Sequence, residues 1–292
     1  MKNSRCFSWF RPEQRVLPSA SPSQTRNAVT GLLLTASIVL SGCAELRNTG
    51  SSAGSSPQTE LPTSSDQTNI QKRAQIRLQL AIDYFEQHQL NVALDELKQA
   101  ITIDPSLANA YSVRALVYMD MGETKLADEN FQTAMRLAPN NPDLSNNYGW
   151  YLCQNDRVPE SIAFFEAALK NRSYQSPAKA LTNAGLCSLK LRDTEAAERY
   201  LNQAFKIEPG NVITNVNLAK IYYGNGDFKR ARFYVGRATK DESVSAETLW
   251  LAIRVEHKLE DRAAEVSLAT QLRRRHPNSV EFSAYQRGAF DE

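Results

Sequence analysis

The sequence predicts an all-α protein, a right-handed superhelical solenoid of six helix-turn-helix repeats. Three observations predict it. Prolines recur at a fixed interval, small and bulky residues fall into shared columns on that interval, and a turn signal breaks the units near their middle.

The interval comes from Pro105, Pro139, Pro209 and Pro277, which are 34, 70 and 68 residues apart. The period is therefore 34 with two extra residues in one unit, and Ser173 and Ser243 fill the slots without proline. On that frame the units are 74–107, 108–141, 142–177, 178–211, 212–245 and 246–279. Their eighth residues are small in five units: Ala81, Ala115, Gly149, Gly185 and Ala219, then Ile253. The twentieth are Ala93, Ala127, Ser161, Ala197 and Ala231, then Glu265. The twenty-seventh are Ala100, Ala134, Ala168, Ala204 and Ala238, then Leu272. The twenty-fourth column is bulky, with Leu97, Phe131, Phe165, Leu201 and Val235. A period of this length with these columns is the signature of tetratricopeptide (TPR) repeats. One helical hairpin cannot bury its own apolar stripe, and the next hairpin covers it. Small residues let helix axes approach closely. Proline ends the second helix, because it lacks the amide hydrogen and restricts the residue before it. Met121-Gly-Glu and Asn225-Gly-Asp supply the break inside a unit. The sixth unit departs from the columns, as expected of a cap whose outer face meets water.

The N-terminal segment reads as an address rather than a fold. Basic residues Lys2, Arg5, Arg11, Arg15 and Arg26 precede the apolar run Ala28–Leu40. A helix of that length spans about 20 Å, too short for a hydrocarbon core of about 30 Å. It suits the hydrophobic region of a signal peptide. Leu40-Ser41-Gly42-Cys43 resembles the bacterial lipobox, in which the Cys is lipidated and becomes the new N-terminus. Ala44 follows where Asp retains lipoproteins in the inner membrane, so the resemblance points to the outer membrane of a Gram-negative cell, with the body in the periplasm. Several acyl chains anchor firmly where one binds only marginally. The expected layout is a signal peptide over 1–42, lipidated Cys43 and a Ser/Thr/Gly/Pro-rich tether over 43–69, and the TPR domain over 70–292. A coil of the tether's length spans about 25–30 Å. The formal net charge of the whole chain is +2, and the basic leader leaves the remainder slightly acidic. Nucleic acid is therefore excluded as a partner, since such binding rests on neutralised phosphates.

Of the four cysteines, Cys153 and Cys187 lie in the repeats. They are the twelfth residue of unit three and the tenth of unit four, both near the end of a first helix in neighbouring units. An exported protein resides where disulfides persist, so a Cys153–Cys187 bond is expected. The alternative is two buried thiols packed as small hydrophobes.

No catalytic constellation is present. His88, His257 and His276 occupy unrelated helix positions, and His257 with Glu260 lacks a second His for zinc. There is no phosphate-binding Gly-rich loop and no nucleophile elbow. The expectation is a non-enzymatic binding protein without cofactor or metal. Repeat solenoids offer a concave face to partners, formed by the second, fifth, ninth, twelfth and thirteenth residues of each first helix. In units one to three this collects Leu78, Ile82, Phe85, Leu116, Met119, Asn146 and Trp150, an apolar groove with an aromatic anchor. The alternative is that some of them pack between helices. In unit five, Val216, Lys220 and Tyr223 share the face. Asn147, Asn183 and Asn217 all fall at the sixth position, where they either hold a peptide backbone or satisfy groups inside the stack. The basic clamp of chaperone-binding repeats is absent, since the fifth and ninth positions of units one and two hold Leu78, Ile82, Ser112 and Leu116. Arg273-Arg274-Arg275 ends the last unit's second helix, where positive charge complements the helix dipole.

With these features assembled, the chain resembles the type IV pilus biogenesis and stability lipoproteins of the PilF/PilW type. The resemblance rests on Asn146-Asn-Tyr-Gly-Trp-Tyr-Leu-Cys153, Asn183-Ala-Gly-Leu-Cys187, Leu251-Ala-Ile-Arg254 and Arg273-Arg-Arg-His-Pro277. It covers roughly residues 70–280 and includes the longer third unit; the long N-terminal extension departs from it. The resemblance implies a pilotin, a non-enzymatic adaptor that helps the pilus secretin reach the outer membrane and multimerise, and so supports twitching motility. The rival is a lipoprotein scaffold of the same fold that serves another outer-membrane assembly protein, in β-barrel insertion or with cell-wall synthases.

Overall fold

Thr68 opens the helical body with a reciprocal cap: its Oγ accepts from the Gln71 amide at 3.2 Å, and Gln71 Oε1 accepts from the Thr68 amide at 2.8 Å. The computed structural model describes residues 68–241 and 243–290. The expected signal peptide, Cys43 and the expected tether up to residue 67 lie outside the described residues. The described residues form helices joined by short turns, with no strand among them. The helices pair in order: α1 (Asn69–Glu86) with α2 (Leu90–Ile103), α3 (Ala108–Met121) with α4 (Thr124–Leu137), and α5 (Pro142–Gln154) with α6 (Val158–Lys170). Next come α7 (Pro177–Lys190) with α8 (Thr194–Ile207), α9 (Val212–Gly224) with α10 (Phe228–Ala238), and α11 (Ala246–Lys258) with α12 (Arg262–Arg275). A further helix, α13 (Val280–Arg287), follows. Each helix packs on its partner and then on the next hairpin, as a solenoid requires.

The residue columns explain this packing. Ala81, Ala115 and Ala219 are fully buried, as are Ala93, Ala127, Ser161, Ala197 and Ala231 where the second helix crosses the first. Beneath them lie Leu97, Phe131, Phe165, Leu201 and Val235, also buried. Two units carry glycine in the eighth position because there is no room for more. A Cβ on Gly185 would stand 2.6 Å from Leu201 Cγ, and one on Gly149 would stand 3.0 Å from the Phe165 ring.

The turn inside each hairpin is one geometry used six times. The fifteenth residue of each unit has positive φ: His88, Gly122, Asp156, Arg192, Gly226 and Glu260. The next amide reaches back five residues. Gln89 donates to Tyr84 O, Glu123 to Tyr118 O, Arg157 to Leu152 O, Asp193 to Ser188 O, Asp227 to Tyr222 O and Asp261 to Glu256 O, all at 2.9–3.0 Å. Glycine adopts this left-handed conformation freely and other residues do so at a cost. The sequence shows only the two glycine cases, so the shared turn is invisible in the other four. Between hairpins, the two slots without proline use Asx turns. Asn171 Oδ1 accepts from the Ser173 amide at 2.9 Å, and Asp241 Oδ1 accepts from the Ser243 amide at 2.7 Å.

The sixth hairpin is built differently, which accounts for its failure to fit the columns. Ile253 and Leu272 are fully buried where other units hold small residues. Glu265 replaces alanine and is 2% exposed; it accepts from Arg262 at 2.9 Å and meets His257 Nδ1 at 3.0 Å. His257 therefore faces Glu265, not the Glu260 that its spacing singles out. Phe282, Ala284, Tyr285 and Phe290, from α13 and the residue run after it, cover the core of Leu249, Trp250 and Ile253. This closing helix is an element that the repeat frame does not predict, because it falls after the last complete period.

Candidate functional site

The first helices of successive hairpins present one stripe each, and the ninth residues define its centre. They read Ile82, Leu116, Trp150 and Leu186, then Lys220 and Arg254. The stripe is apolar through four units and cationic in the last two. Of the seven groove residues read from sequence, Ile82, Met119 and Trp150 are partly exposed, and Trp150 also packs against the buried cluster around Cys153 and Cys187. The other four correct the expectation. Leu78 and Asn146 are each 1% exposed, and Phe85 and Leu116 are also buried, so they have little area to give a partner. A wider apolar sector of each first helix is needed to pack against two neighbouring helices, and it takes in these four positions.

Asn146 has a different use. Its Oδ1 accepts from Asn183 Nδ2 at 2.9 Å, and Asn147 Nδ2 donates to Ser112 Oγ at 3.3 Å. Thr182 and Thr214 hydroxyls meet at 2.9 Å. These contacts link successive first helices, so the asparagine positions form part of a polar seam inside the stack. Asn217 stands apart and donates to Ile213 O at 2.8 Å within its own helix. Cys153 and Cys187 form a disulfide with Cα atoms 6.0 Å apart, joining α5 to α7. Both are fully buried among Val158, Phe165, Leu181 and Tyr200. Lys190 Nζ caps the end of α5 by donating to Cys153 O at 3.0 Å.

A second concavity was not read from the sequence. An open groove of about 880 Å³ runs between α1 and α2, lined by Arg73, Ile76, Leu80, Lys98, Gln99 and Ile103 among others. Ile76 is 61% exposed and Leu80 36%. No hairpin precedes α1 among the described residues. The signal was present: Ile76 and Leu80 are four apart, on a different face from the buried Ala74, Leu78, Ala81 and Phe85. A helix apolar on two faces has a second surface to cover.

Buried polar groups tie the hairpins together. Tyr148 donates to Asp128 at 3.1 Å, Tyr200 to Glu166 at 2.9 Å and Tyr222 to Glu198 at 2.7 Å. Burial raises all three phenols above their ordinary value, and the neighbouring carboxylates add to it. Burial lowers the Lys179 ammonium, against the pull of Asp143. Among the described residues, no group of three or more His, Cys, Asp or Glu is disposed to hold a metal, and no helix is long and apolar enough to cross a membrane.

Comparison with known proteins agrees with this architecture. Tetratricopeptide-repeat families match residues 83–122, 112–176 and 188–247. The type IV pilus assembly protein PilF of Pseudomonas aeruginosa is 28% identical over 209 residues, covering 72% of this chain and 83% of that protein. The crystal structure of PilW, described as a widely conserved type IV pilus biogenesis factor, superposes with a TM-score of 0.66 at 29% identity, covering 73% of this chain and 98% of PilW. The solved structure of Pseudomonas aeruginosa PilF gives a TM-score of 0.69 at 27% identity, covering 76% of this chain and all of that one. The chain is therefore a tetratricopeptide-repeat protein homologous to the type IV pilus biogenesis proteins PilF and PilW.

Proposed function

We propose that this chain is a non-enzymatic adaptor for type IV pilus biogenesis. It is lipidated at Cys43, held at the outer membrane with its repeats in the periplasm, and acts as a pilotin that helps the secretin reach that membrane and multimerise. The observation that carries the reading is the extent of the match. PilW and PilF are covered over 98% and 100% of their solved chains, so the likeness spans the whole row of hairpins rather than one generic repeat. The surface agrees with an adaptor. It offers two grooves, the partly exposed Ile82, Met119 and Trp150 stripe and the α1/α2 groove around Ile76 and Leu80. Apolar and aromatic residues of this kind supply most of the binding energy at protein interfaces.

Deleting the gene tests the reading. Secretin multimers in the outer membrane and twitching motility should both be lost, while other outer-membrane β-barrels and the cell wall are unaffected. Normal multimers with normal motility would reject the pilotin role. Replacing Cys43 with Ala should abolish labelling by palmitate and leave the repeats folded; continued labelling would place the anchor elsewhere.

A further inference from the structure

The chain beyond α13 folds back onto α11. Gly288, with φ +70°, ends α13 in the left-handed conformation, and the Ala289 amide donates to Ala284 O at 3.0 Å. Phe290 is thereby laid against α11. Its ring lies parallel to the His257 imidazole with centroids 3.7 Å apart, stacks on Trp250 at 5.6 Å, and meets Tyr285 edge-on at 6.0 Å. Trp250 and His257 are the fifth and twelfth residues of the sixth unit, and Arg254 is the ninth between them. They form the stripe that holds Asn146, Trp150 and Cys153 in unit three and Val216, Lys220 and Tyr223 in unit five. Phe290 thus covers the fifth and twelfth positions of the sixth unit, on either side of the ninth position that the partly exposed Trp150 holds in unit three.

Arg254 stands in this stripe with a buried Nε that has no hydrogen-bond partner. Its guanidinium lies over the Tyr223 ring at 4.8 Å. A buried donor without an acceptor costs free energy, and a carboxylate satisfies a guanidinium better than other acceptors. Three acids of α11 and α12 are engaged elsewhere. Glu256 binds Arg232, Glu265 binds Arg262 and His257, and Glu247 pairs with Lys220. Lys220 and Arg254 are also the only cations among the ninth residues of the units. The residues after Phe290 are Asp291 and Glu292, which lie outside the described residues. The chain's own segment therefore carries an aromatic ring followed by two carboxylates, the pattern that a ring slot beside a cation selects.

We infer that the Trp250–Arg254–His257 stripe of α11 is a peptide-recognition site for an aromatic residue followed by acidic residues, which Phe290 fills in cis until a partner segment displaces it. Trp250 and His257 stack on the incoming ring, and Arg254 takes the carboxylate. The cis residue sets a threshold. A tethered occupant acts at an effective concentration of about millimolar, so only a segment that matches both features opens the site. The inference stands whichever assembly the protein serves, and its test uses purified protein alone.

The probe is a fluorescein-labelled peptide of residues 285–292, Tyr-Gln-Arg-Gly-Ala-Phe-Asp-Glu, titrated with full-length protein and read by anisotropy. Phe290→Ala protein should bind it about tenfold more tightly than the unaltered protein, since the competing cis residue is gone. Changing the peptide's Phe to Ala, or its two acids to their amides, should each weaken binding about tenfold. Adding Arg254→Gln should remove the preference for the acids while keeping that for the ring. Should Phe290→Ala melt near the assay temperature, Phe290→Leu, which keeps apolar cover and loses the ring stack, is read in the same way. Equal binding by the altered and unaltered proteins, or equal binding of the acidic and amide peptides, would overturn the inference.

Discussion

Removing the Cys153–Cys187 bond tests the coupling between the central hairpins. The bond spans a sequence separation of 34 residues and ties α5 to α7, the first helices of units three and four. In the chain-entropy account, a loop of that size constrains the unfolded state by about 12–13 cal/mol/K, or about 3.7 kcal/mol at 25 °C. The native side should change little on reduction. Both sulfurs are buried in an apolar cluster, and free thiols pack there as small hydrophobes. The assay is urea unfolding followed by helical circular dichroism, with and without reductant. Reduction should lower stability by about 3–4 kcal/mol and raise the urea slope, because the freed unfolded chain exposes more surface. The loss should also be local, since a repeat array opens hairpin by hairpin. Amide exchange should accelerate across α5–α8 and stay nearly unchanged in α1, α2 and α12. A double Cys→Ala variant should lose about 1–2 kcal/mol more than reduction does, from the space the sulfurs leave. A reduced protein within about 1 kcal/mol of the oxidised one would refute the reasoning, because the unfolded loop would then be closed already by other contacts.

Gly185→Ala should destabilise by about 1–2 kcal/mol, since overpacking against Leu201 outweighs the gain in helix propensity. Gly236→Ala, with nothing within 4 Å of the new methyl, should stabilise by about 1 kcal/mol; melting curves for the pair decide it, and equal shifts would contradict the close approach. Arg192→Gly removes a left-handed strain at the fifteenth position and should add about 1 kcal/mol, whereas a loss in urea midpoint would show that the turn is not strained. Stability should also fall at alkaline pH. Tyr148, Tyr200 and Tyr222 have phenols raised in the folded state. Below about pH 10 both states keep these protons. Above it the unfolded chain releases them first, so unfolding is favoured until the folded values are passed. Lys179, held low by burial, works in the opposite direction as pH approaches its ordinary value. A urea midpoint that stays level from pH 9 to 11 would show that the tyrosine contribution does not dominate.

What was legible in the sequence follows the physics of each feature. Close helix crossings demand small residues at fixed places, so Ala81, Ala93 and Ala100 and their counterparts announce the hairpins. Ending the second helix calls for proline, an Asx turn or both, so the period survives even where Ser173 and Ser243 replace proline. Groove residues carry no such demand. Leu78 and Leu116 are apolar because they pack, Ile82 and Met119 because they face outward, and composition cannot separate these roles at neighbouring positions of one helix. Arg192 and Glu260 adopt left-handed turns because the hairpin closes around them, which a single sequence does not announce. Ile253, Glu265 and α13 escape the frame for a related reason: a cap needs whatever covers the last hairpin, and no column repeats there.

The proposed adaptor role requires that partly exposed groove residues grip the secretin. The most direct measurement replaces the native gene with one encoding Ile82→Asp and Met119→Asp, both partly exposed positions, and quantifies secretin multimers in the outer membrane. The account predicts a protein with unaltered helical content and melting temperature, present at normal levels, and a multimer yield reduced to that of the deletion. A full multimer yield from the doubly charged groove would contradict it.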